Sequence, residues 1–261
     1  MEDYATIVGN IDFAQVALYL FWLFFFGLVI WIQRENMREG FPLESEVTGR
    51  EAGAAPYGMP SPKTYKLPHG GGEIVRPDPA WEKSVQRENL AIKKTDAFSG
   101  APYEPTGDAL ADGVGPASWA MRSDAPDITL HGDLKIVPLK STNDFVYMND
   151  KSDLTGYLVK GADGEIGGTV KDVWVDRSEQ LIRYLEIDLG SDGTRLIPFT
   201  LCVVSWWGNV IKVHSLKSFQ FAGVPQVKTP GQITMREEDQ ISAYWCGGKL
   251  YADANRLESQ L

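Results

Sequence analysis

A mainly apolar run of twenty residues without a charge extends from Phe13 to Ile32, with the sequence FAQVALYLFWLFFFGLVIWI and Gln15 as its one strongly polar side chain. A helix of this length covers about 30 Å, the thickness of the hydrocarbon core of a bilayer. All 25 Lys and Arg residues follow the run, so the basic stretch that begins a signal peptide is missing. The positive-inside rule predicts that residues 1–12 lie outside, that 13–32 span the membrane and that the rest is cytoplasmic. Three residues are expected at the membrane interface: Trp31, Arg34 and Arg38.

Residues 33–138 have a different pattern, because 12 of the 15 prolines of the chain lie between Pro42 and Pro138. Proline is excluded from helix interiors and central strands, so this part is predicted to be extended, without long regular elements. Apolar side chains recur within it, Tyr65, Leu67 and Trp81 among them. That spacing favours a segment laid across the surface of a partner over a free linker.

Residues 139–252 combine short alternating runs with tight turns. Asp163-Gly164 and Asp192-Gly193 each separate two such runs, which is the strongest short-range hairpin signal. Five or six strands at this spacing predict a small antiparallel barrel. A helix is predicted from Met235 to Tyr251, because Thr234 and Glu237 form a capping-box pattern. Its Ile241 and Trp245 should face the barrel, and residues 253–261 are predicted to fray.

Composition narrows the function classes. The 261 residues carry a formal net charge of −10, which argues against nucleic-acid binding, since such proteins neutralise phosphates with clustered Lys and Arg. The two cysteines, Cys202 and Cys246, form neither a disulfide framework nor a zinc site and are predicted to be buried. No nucleophile elbow, phosphate-binding loop or metalloprotease motif occurs, so we expect neither an enzyme nor a resident metal or cofactor.

Two groups of residues are candidates for proton chemistry. His131 and Asp133 lie in a Gly/Pro-rich stretch, where a histidine is either a plain exposed loop residue or a group that exchanges protons with water. The second group is Asp176, Glu179 and Arg183. Arg183 falls on the apolar face of the predicted strand that continues to Leu189, so it needs a carboxylate partner nearby. The group fits either a structural ion pair or a proton relay, and residue types alone leave both open.

The chain resembles the H subunit of the photosynthetic reaction centre of purple bacteria. The resemblance covers nearly the whole chain, in the order found in that family. It is carried by the apolar anchor and six further stretches: QRENMREGFPLE (33–44), PSPKTYKLPHGGG (60–72), PTGDALADGVGPASWAMR (105–122), VKDVWVDRSEQLIRYLEIDL (170–189), DGTRLIPF (192–199) and EEDQISAYWCGGKLYA (237–252).

The resemblance implies a barrel of the type called a PRC-barrel, in a subunit that binds no pigment itself and caps the cytoplasmic face of the two pigment-binding subunits, L and M. It implies the photosynthetic inner membrane with a periplasmic N-terminus, lipid contacts, and an antenna or cytochrome subunit as further partners. The whole complex would hold bacteriochlorophyll, bacteriopheophytin, quinones and non-haem iron.

The resemblance also implies roles for the candidate residues. Asp176, Glu179 and Arg183 match the acidic–basic cluster of the family near the secondary quinone, and His131 matches a histidine where protons enter. Asp133 stands where that family has a second histidine, and Thr129 replaces a nearby acidic residue. The proton-transfer set is therefore His131, Asp133, Asp176, Glu179 and Arg183. The alternative function is a membrane-tethered adaptor whose barrel binds another protein; it leaves the segments 35–44 and 105–119 unexplained.

Overall fold

The computed structural model describes residues 6–8, 11–45, 48, 50, 58–148, 153–205 and 207–257. The chain forms two compact units, Met1–Ser84 and Val85–Leu261. The predicted start of the barrel at residue 139 falls inside the second unit. It directly follows a short strand, Ile136–Pro138, which pairs with a strand of the main sheet of that unit. The domain limits drawn from the sequence stay predictions.

The first unit is organised around a single long helix, α1 (Phe13–Glu35). The side chain of Asp12 caps it by accepting a hydrogen bond from the backbone N–H of Gln15, at 2.6 Å. At 23 residues it is about 34 Å long. Among the described residues, α1 is a helix that is long and apolar enough to cross a membrane, and no residue of its apolar run is buried. An apolar surface on all sides is typical of a helix surrounded by lipid or by other helices.

The other elements of the first unit are short, as the prolines and glycines predict. They are β1 (Thr6–Val8), β2 (Ile11–Asp12), β3 (Lys63–Lys66), β4 (Glu73–Arg76) and α2 (Pro79–Ser84). Strands β3 and β4 pair antiparallel, and their turn contains Gly70 and Gly72 at positive φ, a conformation that glycine adopts at little cost.

The second unit is mainly β. Its elements are β5 (Ile92–Lys94), β6 (Tyr103–Pro105), α3 (Ala109–Asp112), β7 (Ile136–Pro138), β8 (Leu158–Lys160), β9 (Ile166–Asp176), β10 (Leu181–Asp188), β11 (Thr194–Pro198), β12 (Cys202–Ser205), β13 (Val210–Val213) and α4 (Met235–Tyr251). The main sheet has the order β11-β10-β9-β8-β13-β12, with β7 added beside the end of β9. The predicted fold class is confirmed: one spanning-length helix, a mainly β domain with antiparallel strands, and a C-terminal helix.

One strand pair departs from the antiparallel pattern. Strands β8 and β13 pair parallel, with Val210 opposite Leu158 and Lys212 opposite Lys160. The β12–β13 hairpin returns to the sheet beside a strand that lies far from it in sequence. No turn motif marks such a pairing, so the local pattern gave no signal for it.

Helix α4 closes the core of the second unit. Ile241 and Trp245 are fully buried, as predicted, and the indole N–H of Trp245 donates to the carbonyl of Leu196 at 2.8 Å. A Cβ added at Gly247 would lie 2.5 Å from the Cβ of Ala117, so only glycine permits this close approach. The predicted helix limits, Met235 and Tyr251, are confirmed.

The predicted burial of the two cysteines is wrong for Cys246. Cys246 is exposed, because it follows Trp245 on a helix whose Trp245 face is turned to the core, and Cys202 is only half-buried. Leu181 is also exposed, although strict alternation along its strand would place it on the same face as the buried Leu185. A register shift between Ile182 and Tyr184 changes which side chains face inward, so that Tyr184 is buried.

Candidate functional site

The turn between β9 and β10 brings Asp176, Glu179 and Arg183 together. Asp176 ends β9 and its side chain is 0% exposed. Its Oδ1 accepts hydrogen bonds from the backbone N–H groups of Ser178 and Glu179, each at 2.9 Å. An aspartate that bonds to the backbone two and three residues ahead stabilises a tight turn. The backbone therefore fixes one carboxylate oxygen and leaves the other to face the cluster.

The other oxygen of Asp176, Oδ2, lies between two cations. It is 3.3 Å from Nη2 of Arg183 and 3.8 Å from Nζ of Lys135. Among the described residues, this buried oxygen has no hydrogen-bond donor. Oε1 of Glu179 lies 3.5 Å from Nη2 of Arg183 and 3.7 Å from Nζ of Lys135. Two carboxylates thus share two cations, one carboxylate fully buried and the other half-exposed.

Sequence reasoning missed Lys135 as a member of this cluster. It directly precedes the buried strand β7, and its Nζ also lies 3.3 Å from Oδ2 of Asp127. Burial lowers the pKa of Lys135, but the hydrogen bond to Asp127 and the charges of Asp176 and Glu179 outweigh it, so that the pKa is raised. Lys135 therefore stays charged at neutral pH. The one available signal was its place beside the apolar run IVP, since a cation there requires partners.

His131 and Asp133 lie on an exposed turn, which is held by a hydrogen bond from the N–H of Thr129 to the carbonyl of Asp133, at 2.8 Å. Both line an open cleft together with Asp144 and Arg177. Nε of Arg177 bonds to Asp144 at 2.8 Å, and its Nη1 is 4.0 Å from Asp133.

The cleft and the buried cluster share the β9–β10 turn. Ser178 lines the cleft, and its N–H donates to Asp176. The backbone N–H of Arg177 donates to the carbonyl of Lys135 at 2.8 Å. The imidazole of His131 forms neither an ion pair nor a hydrogen bond with the described residues; the backbone N–H of His131 donates to Oγ1 of Thr129 at 3.3 Å.

A third carboxylate, that of Glu238, lies near Arg183. Sequence reasoning also missed this residue. The hydroxyl of Tyr184 donates to Oε2 of Glu238, on α4, at 3.0 Å. Burial raises the pKa of Glu238, and the hydrogen bond from Tyr184 and the charge of Arg183 only partly offset this. Burial also raises the pKa of Tyr184. Glu238 belongs to an element more than fifty residues from Arg183, so no local motif predicted the contact.

The three residues expected at the membrane interface differ in their surroundings. Trp31 and Arg34 are exposed at the end of α1. Arg38 is buried, and its guanidinium binds Glu35 in a bidentate ion pair at 2.8 and 2.9 Å. A further nitrogen of Arg38 donates to the carbonyls of Ser61 and Arg76, at 2.9 and 3.0 Å. The guanidinium of Arg38 is thus committed to protein groups, and the interfacial position of all three residues stays a prediction.

Two family models match the chain. The H-chain N-terminal region of the photosynthetic reaction centre matches residues 5–141, which is more than half of the chain, and the PRC-barrel domain matches residues 148–220. The chain belongs to the reaction-centre H-subunit family. The second match covers strands β8 to β13, so it identifies the main sheet as a PRC-barrel domain.

Membership of this family has three direct consequences. The chain is a subunit of a photosynthetic reaction centre, and such H chains are in general not enzymes. It associates with the rest of that complex. Family membership and the spanning-length helix α1 together indicate a membrane anchor in the photosynthetic membrane.

Proposed function

We propose that this subunit caps the cytoplasmic face of the pigment-binding subunits L and M, stabilises the complex and conducts protons to the secondary quinone. In this proposal the N-terminus is periplasmic and the PRC-barrel domain cytoplasmic, in line with the basic residues, which all follow the apolar run 13–32. The chain itself binds no cofactor; bacteriochlorophyll, bacteriopheophytin, quinones and non-haem iron belong to its partners. Contacts with lipids, an antenna and a cytochrome subunit are part of the same proposal.

The observation that carries the proton-transfer role is the buried carboxylate of Asp176. A fully buried carboxylate with one oxygen free of hydrogen-bond donors among the described residues is costly to retain for stability alone. The neighbouring cations Lys135 and Arg183 stabilise its ionised form, and Glu179 supplies a second carboxylate that competes for them. In this proposal a proton passes between the two carboxylates, which face the same two cations at 3.3 to 3.8 Å.

The cleft of His131 and Asp133 is the proposed point of proton uptake. Histidine exchanges protons with water near neutral pH, and this turn is open to solvent. The β9–β10 turn connects the cleft to Asp176, and Glu179 is half-exposed on the same turn. Reduction of a quinone to a quinol consumes two protons, so a site covered by protein requires such a path from water.

A substitution of Glu179 tests the proposed function. We expect Glu179→Gln to slow the second, proton-coupled electron transfer to the secondary quinone by roughly tenfold or more, since a positioned acid–base group is removed. Primary charge separation should be unchanged. Flash-induced absorbance changes measure both steps, and Glu165→Gln, an exposed glutamate in the β8–β9 turn, is the matched control. Kinetics of Glu179→Gln equal to those of the control would assign the cluster a structural role only.

Co-purification separates this function from that of a membrane-tethered adaptor. We expect detergent extracts to yield the chain together with near-infrared-absorbing pigment and two larger, more hydrophobic subunits. A pigment-free preparation bound to another protein would favour the adaptor.

A further inference from the structure

The outward face of the main sheet carries a row of side chains far along β9 from Asp176, three of them exposed and one, Lys160, half-buried. The register places Ile166 of β9 opposite Lys160 of β8, Lys160 opposite Lys212 of β13, and Lys212 opposite Val203 of β12. Ile166 and Val203 are about half exposed, at 55% and 51%. The row is thus apolar at both ends and doubly charged in the middle; we call it the lysine row.

The two lysines at the centre of the lysine row are direct neighbours on adjacent strands. Like charges directly opposite each other destabilise a sheet. Among the described residues, neither Lys160 nor Lys212 forms an ion pair with a carboxylate. The adjoining turn contains Asp163 and Glu165; Asp163 accepts hydrogen bonds from Ser218, at 2.8 and 3.0 Å, and Glu165 is exposed. An anion bound from outside would relieve the repulsion between the lysines.

A tryptophan projects from the hairpin next to this row. Trp207 lies at the tip of the β12–β13 hairpin and is 92% exposed. Gly208 and Asn209, both at positive φ, form the turn, and the hydroxyl of Ser205 donates to the carbonyl of Trp207 at 3.2 Å. The indole is thus left in solvent, although exposure of so large an apolar group is unfavourable.

We propose that the lysine row and Trp207 form a docking surface for the anionic headgroups of a phospholipid bilayer. Lysine clusters bind anionic lipid surfaces, and tryptophan favours the boundary between headgroups and acyl chains. An acidic protein surface would satisfy the same side chains and is the alternative outcome of the test below. The spanning helix of the same chain keeps it at a bilayer, which makes lipid headgroups a partner at high effective concentration.

Hydrogen exchange of the whole reaction centre tests this surface. The complex is reconstituted in nanodiscs of phosphatidylcholine, with or without phosphatidylglycerol, and exchange is followed by mass spectrometry in the peptide that covers residues 202–213. We expect slower exchange in the anionic discs. Lys160→Gln and Lys212→Gln should each reduce this protection by about fivefold, the factor for one lysine at an anionic surface.

Controls separate the proposed surface from general effects of charge and hydrophobicity. Lys249→Gln removes an exposed lysine of α4 and should leave the protection unchanged. Trp207→Ala should reduce it, whereas Phe219→Ala, at another exposed aromatic residue, should not. Equal exchange in the two kinds of disc would overturn the proposal. If the peptide were equally protected in the two kinds of disc and lost that protection when other subunits were removed, the surface would contact protein. That result would also overturn the proposal.

Discussion

At the scale of single residues, the cluster divides into a part that the sequence predicted and a part that it did not. Asp176, Glu179 and Arg183 lie within eight positions of one another around one turn, so their proximity follows from local geometry. Lys135 reaches the cluster through the pairing of β7 with β9, and Glu238 of α4 lies near Arg183 and bonds to Tyr184. Tertiary contacts of this kind leave no periodic signal in one sequence, which is why both residues were missed.

The buried Glu238 gives a prediction about pH. Because burial raises its pKa in the folded chain, its contribution to stability is fully present below the ordinary glutamate pKa of about 4.3 and is lost as the pH rises through the raised value. Glu238→Gln resembles the protonated form and still accepts the hydrogen bond from Tyr184. We therefore expect the apparent unfolding temperature of Glu238→Gln to fall less between pH 4.5 and pH 7.5 than that of the natural protein.

The measurement is the apparent unfolding temperature of the purified complex at the two pH values. Glu165→Gln, an exposed glutamate, should reproduce the pH dependence of the natural protein. If Glu238→Gln also reproduced that dependence, the raised pKa of Glu238 would be refuted.

At the scale of elements, helices were easier to predict than strands. The limits of α4 follow from a capping box at Thr234, and α1 follows from the apolar run, with one further turn to Glu35. The strand β10 was predicted with a simple alternation, but a register shift after Ile182 brings Tyr184 inward. The neighbouring strand fixes such a shift, so alternation along one strand cannot reveal it.

The capping box of α4 supports a prediction of stability. Oγ1 of Thr234 accepts from the N–H of Glu237 at 3.2 Å, and the buried carboxylate of Glu237 accepts from the N–H groups of Thr234 and Lys228, at 2.9 and 2.8 Å. Thr234→Ala should lower the free energy of unfolding by about 1 kcal/mol, as the loss of an N-cap side chain does. Thr234→Ser keeps the acceptor and should cost little.

Hydrogen exchange of the first turn of α4 measures this effect without complete unfolding. Faster exchange in Thr234→Ala than in Thr234→Ser is the expected result. Equal exchange in the two variants would show that the hydroxyl of Thr234 does not stabilise the helix end.

At the scale of the whole molecule, the sequence predicted the order of an anchor, a segment poor in regular structure and a β domain. It did not predict that the second compact unit begins at Val85, well before the barrel strands. Residues 85–138 contribute β5, β6, α3 and β7, and the side chain of Arg87 binds the carbonyls of Asp112 and Gly113, at 2.8 and 2.6 Å. Long-range contacts of single side chains with backbone carbonyls organise this part, and composition alone does not predict them.

The central claim is that a buried carboxylate of this subunit passes protons to a quinone held by its partners. Asp176→Asn tests it most directly, because asparagine keeps the oxygen that accepts from the N–H groups of Ser178 and Glu179 but cannot exchange a proton. Asp188→Asn is the matched control, since Asp188 is exposed and accepts from the N–H of Gly190 in a similar turn.

The measurement is the rate of proton uptake by whole reaction centres after a second flash, followed with a pH-indicator dye. The account predicts that Asp176→Asn slows this uptake by about 100-fold, within the range supplied by a positioned acid–base group, while electron transfer after the first flash is unchanged. Uptake in Asp176→Asn at the rate of Asp188→Asn would contradict it.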